Sequence, residues 1–150
     1  MPRLLFAARD LYPAAGGGPR SMVGLLQGLS GMDWEVHTLS SHAGLTTEQR
    51  FEDHGVQARV VSDFRVELPA CLDEVRPDAV LTQGWGAADA LETAKDRGLP
   101  VALRVPDLIQ LGPQPLCDHF NIDHARNRAA YARADVVVAI SHFCRRRLAE

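Results

Sequence analysis

The fold is decided by the stretch LLFAARDLYPAAGGGPRSMVGLLQGL, residues 4–29. The apolar run from Leu4 to Ala8 has the length of a buried strand, and the glycines at 16–18 with Pro19 break the pattern sharply. Ser21 is a candidate N-cap for a helix whose apolar residues then recur at helical spacing. These residues predict a strand, a glycine-rich loop and a helix, in that order.

The same alternation continues along the chain. Further strands are predicted at 34–39, 56–61, 79–82, 101–105 and 136–140, and helices at 46–54, 64–75, 87–97, 121–134 and from Ser141 onward. Pro69 is expected to kink or divide the helix that contains it. Six strands alternating with helices predict an α/β fold, a Rossmann-like three-layer sandwich with a mostly parallel sheet and helices on both faces. A run as apolar as 136–140 fits a strand buried on both sides.

Length and composition predict a single soluble domain over residues 1–150. The chain is 46% hydrophobic with a net charge of -3, which argues against a general nucleic-acid binder. Cys71, Cys117 and Cys144 are too far apart for a disulfide framework or a metal-binding pair, and the histidines lack metal spacing. No apolar run reaches the length of a membrane span. We therefore expect a cytoplasmic protein without a metal or cofactor.

The charge is unevenly distributed along the chain. Residues 121–150 hold six arginines against Asp123, Asp135 and Glu150. A solvated helix face explains this run, and a basic edge that meets phosphate or an anionic surface is the alternative. The second interpretation would allow peripheral contact with the inner face of a membrane.

A ligand site is expected at the carboxyl ends of the parallel strands. Gly16, Gly17 and Gly18 let backbone amides approach a ligand, and the helix that follows offers free N–H groups to a phosphate. Arg20 could add a bidentate charge. The alternative is a glycine turn that only reverses the chain. A nicotinamide oxidoreductase is disfavoured, because Ser40 and its neighbour stand where such enzymes place an acid for the ribose.

Other candidate residues follow later strands. Gln83 has donor and acceptor groups to read hydroxyls, and Trp85 has a face that stacks on a sugar or base, although it could equally pack under its own loop. Asp107 could orient a hydroxyl or act as a base, or only cap a turn. Ser141 is a helix cap at an end that is also compatible with an anion, and no hydrolase elbow surrounds it.

Several segments together resemble the N-terminal domain of glycosyltransferase family 4 enzymes, in the right order over nearly the whole chain. They are Tyr12-Pro13 with Gly16-Gly17-Gly18, the leucines 25, 26 and 29, Gly31 with Trp34-Glu35-Val36 and Thr38, Pro77 to Leu81, Gly98 to Val101 with Asp107, and Ala134 to Ser141 followed by Arg145 and Leu148.

The resemblance implies the N-terminal half of a GT-B architecture, in which two Rossmann-like domains face each other across a cleft. This half mainly holds the acceptor, a glycan, a lipid or a small molecule. The C-terminal half, absent from this chain, holds the nucleotide-sugar donor, and the sugar is transferred with retention and usually without a metal. The glycine loop, residues 16–18 with Arg20, would lie near the donor diphosphate. Gln83, Trp85, Ser141 and Arg145 would contact acceptor or sugar, and Asp107 would be catalytic.

Two departures from the family pattern change the expectation. The family often has a histidine after the fourth strand, where this chain has Gln83, Gly84 and Trp85. The absent second domain suggests a truncated piece or a domain encoded alone, inactive or nearly so by itself. The alternative function is a non-catalytic module with a Rossmann-like fold that binds a phosphate or a glycan.

Overall fold

The computed structural model describes residues 1–106 and 122–149, in which seven strands and five helices are observed. The strands are β1 (Arg3–Ala7), β2 (Glu35–Ser41), β3 (Gln49–Asp53), β4 (Val56–Val61), β5 (Ala79–Gln83), β6 (Val101–Val105) and β7 (Val136–Ala139). The helices are α1 (Gly17–Ser30), α2 (Phe64–Val75), α3 (Ala87–Asp96), α4 (His124–Tyr131) and α5 (His142–Leu148). None of these helices is long and apolar enough to cross a membrane.

All seven strands form one sheet in the order β3-β4-β2-β1-β5-β6-β7. Every neighbouring pair is parallel except β3 and β4. This confirms the predicted α/β fold with a mostly parallel sheet. Helix α1 joins β1 to β2 and α3 joins β5 to β6, whereas β2 reaches its parallel neighbour β4 through strand β3. The chain adds strands on one side of β1 as far as β3 and then on the other side from β5 to β7. The strand order therefore reverses at β1.

Both faces of β1 are buried, in two separate hydrophobic clusters. Leu5 and Ala7 belong to a cluster that also contains buried residues of α2, α3 and α4. Leu4 and Phe6 belong to the other, with Met22 and other residues of α1. Because side chains alternate across a strand, the two clusters lie on opposite faces of the sheet. An unbroken apolar run at the start of the chain is what this double burial requires.

The prediction of a helix at 46–54 was wrong, because the chain there forms strand β3. It pairs antiparallel with β4 through a tight turn at His54 and Gly55, whose φ angles are 48° and 84°. Two consecutive positive φ angles are typical of the type I′ hairpin, whose twist matches that of its strands. Phe51 gives the strand its one large apolar side chain, and its ring meets the Tyr12 ring edge-on at 5.1 Å between centroids.

Two expectations about helices also differ from the structure. Ser21 is not the N-cap of α1, because Gly16 occupies that position and Gly17 is already helical. The Ser21 hydroxyl instead donates to the Gly18 carbonyl at 3.1 Å. Pro69 does not divide α2, which is continuous and capped by Asp63. The helix predicted at 121–134 is observed as the shorter α4.

The expectation that residues 136–140 are buried on both sides was wrong. Strand β7 is the last strand of the sheet and pairs only with β6 among the strands described. Val136, Val137 and Val138 remain 46–55% exposed. The opposite edge strand, β3, carries charged residues at most of its positions, as edges commonly do. An apolar sequence therefore marks β7 as a strand without showing how deeply it is covered.

Helices α3 and α4 are tied together by one arginine. Arg126 Nη2 donates to Asp89 Oδ1 and Glu92 Oε2, both at 2.6 Å, and Arg65 Nη2 of α2 donates to the same Asp89 oxygen at 2.9 Å. Burial on its own would raise the pKa of Asp89, but the hydrogen bonds from Arg126 and Arg65 outweigh it and hold that pKa below its usual range. The carboxylate is therefore stabilised in its charged form by the fold.

We expect Asp89→Asn to destabilise the protein near neutral pH by about 1–2 kcal/mol. A carboxyl whose folded pKa is lowered contributes stability above its unfolded pKa, about 3.9, and loses it as the pH falls through the folded value. Urea unfolding of both proteins at neutral and strongly acidic pH measures the difference, which should shrink in acid. An equal difference at both pH values would contradict the linkage.

Candidate functional site

The point where the strand order reverses lies between β1 and β5. The loop that follows β1 leads to α1, and the loop that follows β5 leads to α3. These two helices cover opposite faces of the sheet, so the two loops diverge. Such a switch point leaves a crevice outside the carboxyl ends of the strands, where α/β proteins of this kind bind ligands. The two most informative predicted segments, the glycine loop and the loop after β5, meet at this crevice.

A cavity of about 550 Å³ occupies the crevice. Its walls come from the chain between Asp10 and Pro19, from Ser41 and His42 after β2, from the segment Gln83–Trp85, and from Pro106 after β6. A volume in this range accommodates a small-molecule ligand. The cavity brings Gly16, Gly17, Gly18, Gln83 and Trp85 together, as the sequence predicted for the end of the sheet.

The glycine loop presents the N-terminus of α1 to the cavity. Gly16 is the N-cap with φ 82°, a conformation that favours glycine, and Gly17 and Gly18 form the first turn. A Cβ atom built on Gly17 or Gly18 meets nothing within 4 Å. The first N–H groups of a helix have no acceptor inside it, and α1 has no acidic residue in its first turn. The loop therefore offers donors and the positive end of the helix dipole to open space.

Arg20 turns toward the loop itself. Its side chain is exposed, and Nε lies 3.5 Å from the Ala14 carbonyl oxygen. Arg20 is not among the residues that line the cavity. Its bidentate contact with a phosphate remains a prediction.

Gln83 ends β5 and is 5% exposed. Its amide has one orientation set by its neighbours, because Arg104 Nη1 donates to Oε1 at 2.7 Å and Nε2 lies 3.4 Å from the Gly18 carbonyl. The amide group therefore turns its donor side toward the glycine loop. Gln83 was expected in a loop, and its place at the end of a strand makes it a more rigid part of the cavity wall.

Trp85 lines the cavity and remains 36% exposed. Its backbone carbonyl accepts from the Arg9 N–H at 2.8 Å, which ties the loop after β5 to the end of β1. Gly84 and Gly86 on either side have φ angles of 58° and 86°. The residue is positioned by its backbone and forms part of the cavity wall.

The remaining predicted residues are not brought to this cavity. Ser141 accepts from the Cys144 N–H at 3.1 Å, which confirms the expected helix cap of α5, and Arg145 lies on that helix. Both follow β7 at the edge of the sheet, two strands beyond β5. Neither belongs to the walls of the cavity in the part of the chain described. Asp107 lies outside the described residues.

Two residues at this site were not among the predicted site residues: Tyr12, and Arg104, which contacts the lining residue Gln83 without lining the cavity itself. Tyr12 lines the cavity, and its hydroxyl donates to Asp53 Oδ2 at 2.8 Å. Burial, followed by the contact with Asp53, raises the pKa of Tyr12 far above its usual value, so the phenol stays protonated. Arg104 on β6 was overlooked because it lies inside a strand and its partners are distant in sequence. Only the predicted register of β5 beside β6 would have placed it next to Gln83.

Polar residues at the mouth complete the cavity. Asp10, with its carboxylate, and His42, with its imidazole, both line the cavity and are exposed. Across residues 1–106 and 122–149, no three His, Cys, Asp or Glu side chains come close enough to hold a metal ion. The chemistry on offer in the described part is hydrogen bonding, aromatic stacking and the electrostatics of the helix end.

The fold and this cavity define the class of the protein as an α/β protein, consistent with a Rossmann-like fold, with a pocket at its topological switch point. No protein-family model matches the chain, and no curated protein matches it at a significant level.

Proposed function

We propose that this chain is the acceptor-side domain of a retaining glycosyltransferase that transfers a sugar from a nucleotide-sugar donor. In this proposal the domain is a three-layer Rossmann-like sandwich that forms the N-terminal half of a GT-B enzyme. The donor nucleotide would be bound mainly by the C-terminal domain of that architecture. The sequence resemblance to family 4 enzymes is one support, and the cavity at the end of β1 is the other.

The observation that carries the proposal is the glycine loop facing a cavity of about 550 Å³. Gly17 and Gly18 point no side chain into that space, so a bulky anionic group has room beside their amides. A helix N-terminus with free N–H groups stabilises such a group through hydrogen bonds and its dipole. In a glycosyltransferase this group would be the diphosphate of the donor.

Residues of the same cavity beside the glycine loop suit a sugar. Trp85 offers an aromatic face, and the fixed amide of Gln83 offers hydrogen bonds to hydroxyls. A diphosphate at the glycine loop would place an attached sugar within the same cavity. The combination of anion donors and a tryptophan in one cavity favours a nucleotide sugar over an isolated phosphate.

The experiment measures binding and turnover separately. NMR titration of the 150-residue chain with nucleoside diphosphates should shift the amide resonances of the glycine loop, while transfer from nucleotide sugars should be weak or absent. Adding a donor-binding domain from a GT-B enzyme should restore transfer. Robust transfer by this chain alone would contradict the requirement for a second domain.

A non-catalytic module that binds a phosphate or a glycan is the second candidate. It is favoured by Gln83 and Trp85, which stand where family 4 enzymes often have a histidine near the transferred sugar. Binding of ligands without transfer, even when the donor-binding domain is supplied, would support the module and contradict the enzyme.

A further inference from the structure

Arg104 on β6 contacts Gln83, which lines the cavity, and Ser21 of α1, although Arg104 does not itself line the cavity. Its Nη1 donates to Gln83 Oε1 at 2.7 Å, and its Nη2 donates to the Ser21 hydroxyl at 3.0 Å. Ser21 in turn donates to the Gly18 carbonyl at 3.1 Å, from which Gln83 Nε2 is 3.4 Å. These contacts close a ring of hydrogen bonds through Arg104, Gln83, Gly18 and Ser21, which we call the arginine ring.

Within residues 1–106 and 122–149, the positive charge in the arginine ring has no carboxylate partner. Both acceptors of the guanidinium are neutral, and no acidic side chain of these residues forms an ion pair with it. Burial lowers the pKa of Arg104, and no charged group among the described residues counteracts that effect. By contrast, Arg59 and Arg126 each contact two or more carboxylates. A partly buried cation without a counter-ion carries an uncompensated desolvation cost.

The unpaired charge lies beside the positive end of a helix dipole. Gly18 belongs both to the arginine ring and to the first turn of α1, and Gln83 and Gly18 both line the cavity. Two positive sources therefore act at one wall without an anion between them. The Asp10 carboxylate lines the same cavity, but that residue is exposed to water, which screens its charge. An anionic ligand would relieve this imbalance.

We propose that Arg104 is the positioning residue that gives this cavity its preference for a phosphate-bearing ligand. It holds the Gln83 amide and the first turn of α1 in place, and it contributes its charge through that wall. This inference rests on the proposed function, since it assumes that the glycine loop meets a diphosphate. It goes further by assigning the charge preference to a residue of β6 that the loop motif does not contain.

Inorganic pyrophosphate is the probe, titrated into the 150-residue chain by calorimetry at low and high salt. We expect Arg104→Gln to weaken binding by about tenfold or more, since the positive charge near the loop and the bond that fixes the Gln83 amide are both lost. The remaining affinity should also depend less on salt. Arg104→Lys, which keeps the charge but loses the fork geometry, should bind with intermediate affinity.

Arg76→Gln is the matched control. Arg76 is exposed and precedes β5, at the amino-terminal end of the sheet opposite to the cavity, and the change removes the same charge. We expect this variant to bind pyrophosphate like the unmodified protein. Circular dichroism of each variant verifies that it is folded, and Arg104→Lys serves as the test if Arg104→Gln unfolds.

The outcomes separate the two proposals. If the unmodified chain binds pyrophosphate and Arg104→Gln binds it equally well, this inference fails while the proposed function stands. If Arg104→Lys binds as weakly as Arg104→Gln with unchanged salt dependence, the residue only maintains geometry, and its charge role is overturned. If the unmodified chain does not bind pyrophosphate or a nucleoside diphosphate, the diphosphate contact in the proposed function fails as well.

Discussion

Gly17→Val should weaken the binding of a nucleoside diphosphate by at least tenfold, about 1.4 kcal/mol or more, while the protein stays folded. Gly17 lies in the first turn of α1, where an added Cβ meets nothing within 4 Å. The methyl groups would occupy the open space next to the free N–H groups and keep a phosphate away from them. Calorimetric titration measures the loss of binding, and thermal unfolding shows whether the variant stays folded.

Gly24→Val provides the control within the same helix. Gly24 is exposed, has nothing within 4 Å of a built Cβ and lies two turns farther along α1. Both substitutions make the same chemical change and have similar effects on helix propensity. Equal loss of binding in the two variants would mean that the effect comes through the helix as a whole and would refute the contact at Gly17.

The sequence predicted the sheet well because double burial leaves a strong signal. The run 4–8 is apolar on both faces, the run 101–105 is apolar except for Arg104, and glycine or proline separates both from the helices. Strand β3 was missed for the opposite reason. It lies at an edge, Phe51 is its only large apolar residue, and its existence depends on pairing with β4 through the turn at His54 and Gly55.

The part of the candidate site that the backbone alone forms, the glycine loop, was predicted from the sequence. The glycine loop needs no side chain, so Gly16–Gly18 could be placed by the rule that ligands bind at the ends of parallel strands. The arginine ring depends on residues 18 and 21 of α1, 83 of β5 and 104 of β6. These residues meet only after α1 and the two strands have assembled in the sheet. Ser141 and Arg145 failed to join the cavity because β7 was added at the sheet edge, and no local pattern encodes the order of strands.

Gly86→Ala should be the more destabilising of two glycine substitutions beside the cavity, with a loss of about 2–4 kcal/mol in the free energy of unfolding. Its φ of 86° is unfavourable for a residue with a Cβ, and that Cβ would lie 2.8 Å from Arg9 Cγ and 3.2 Å from the Arg9 nitrogen. The Arg9 backbone has little freedom to withdraw, because its N–H is bonded to the Trp85 carbonyl. Denaturation with urea measures the loss.

Gly84→Ala separates the two causes of that loss. Gly84 also has a positive φ, 58°, but a Cβ there meets nothing within 4 Å. It should therefore cost only the backbone term, about 1–2 kcal/mol. The difference between the variants measures the crowding of Gly86 against the end of β1 and against the buried ring of Phe64, whose Cε1 lies 3.2 Å away. Equal losses would show that the β1 end yields to the added methyl group, and the wall formed by Trp85 would then be less rigid than its contacts indicate.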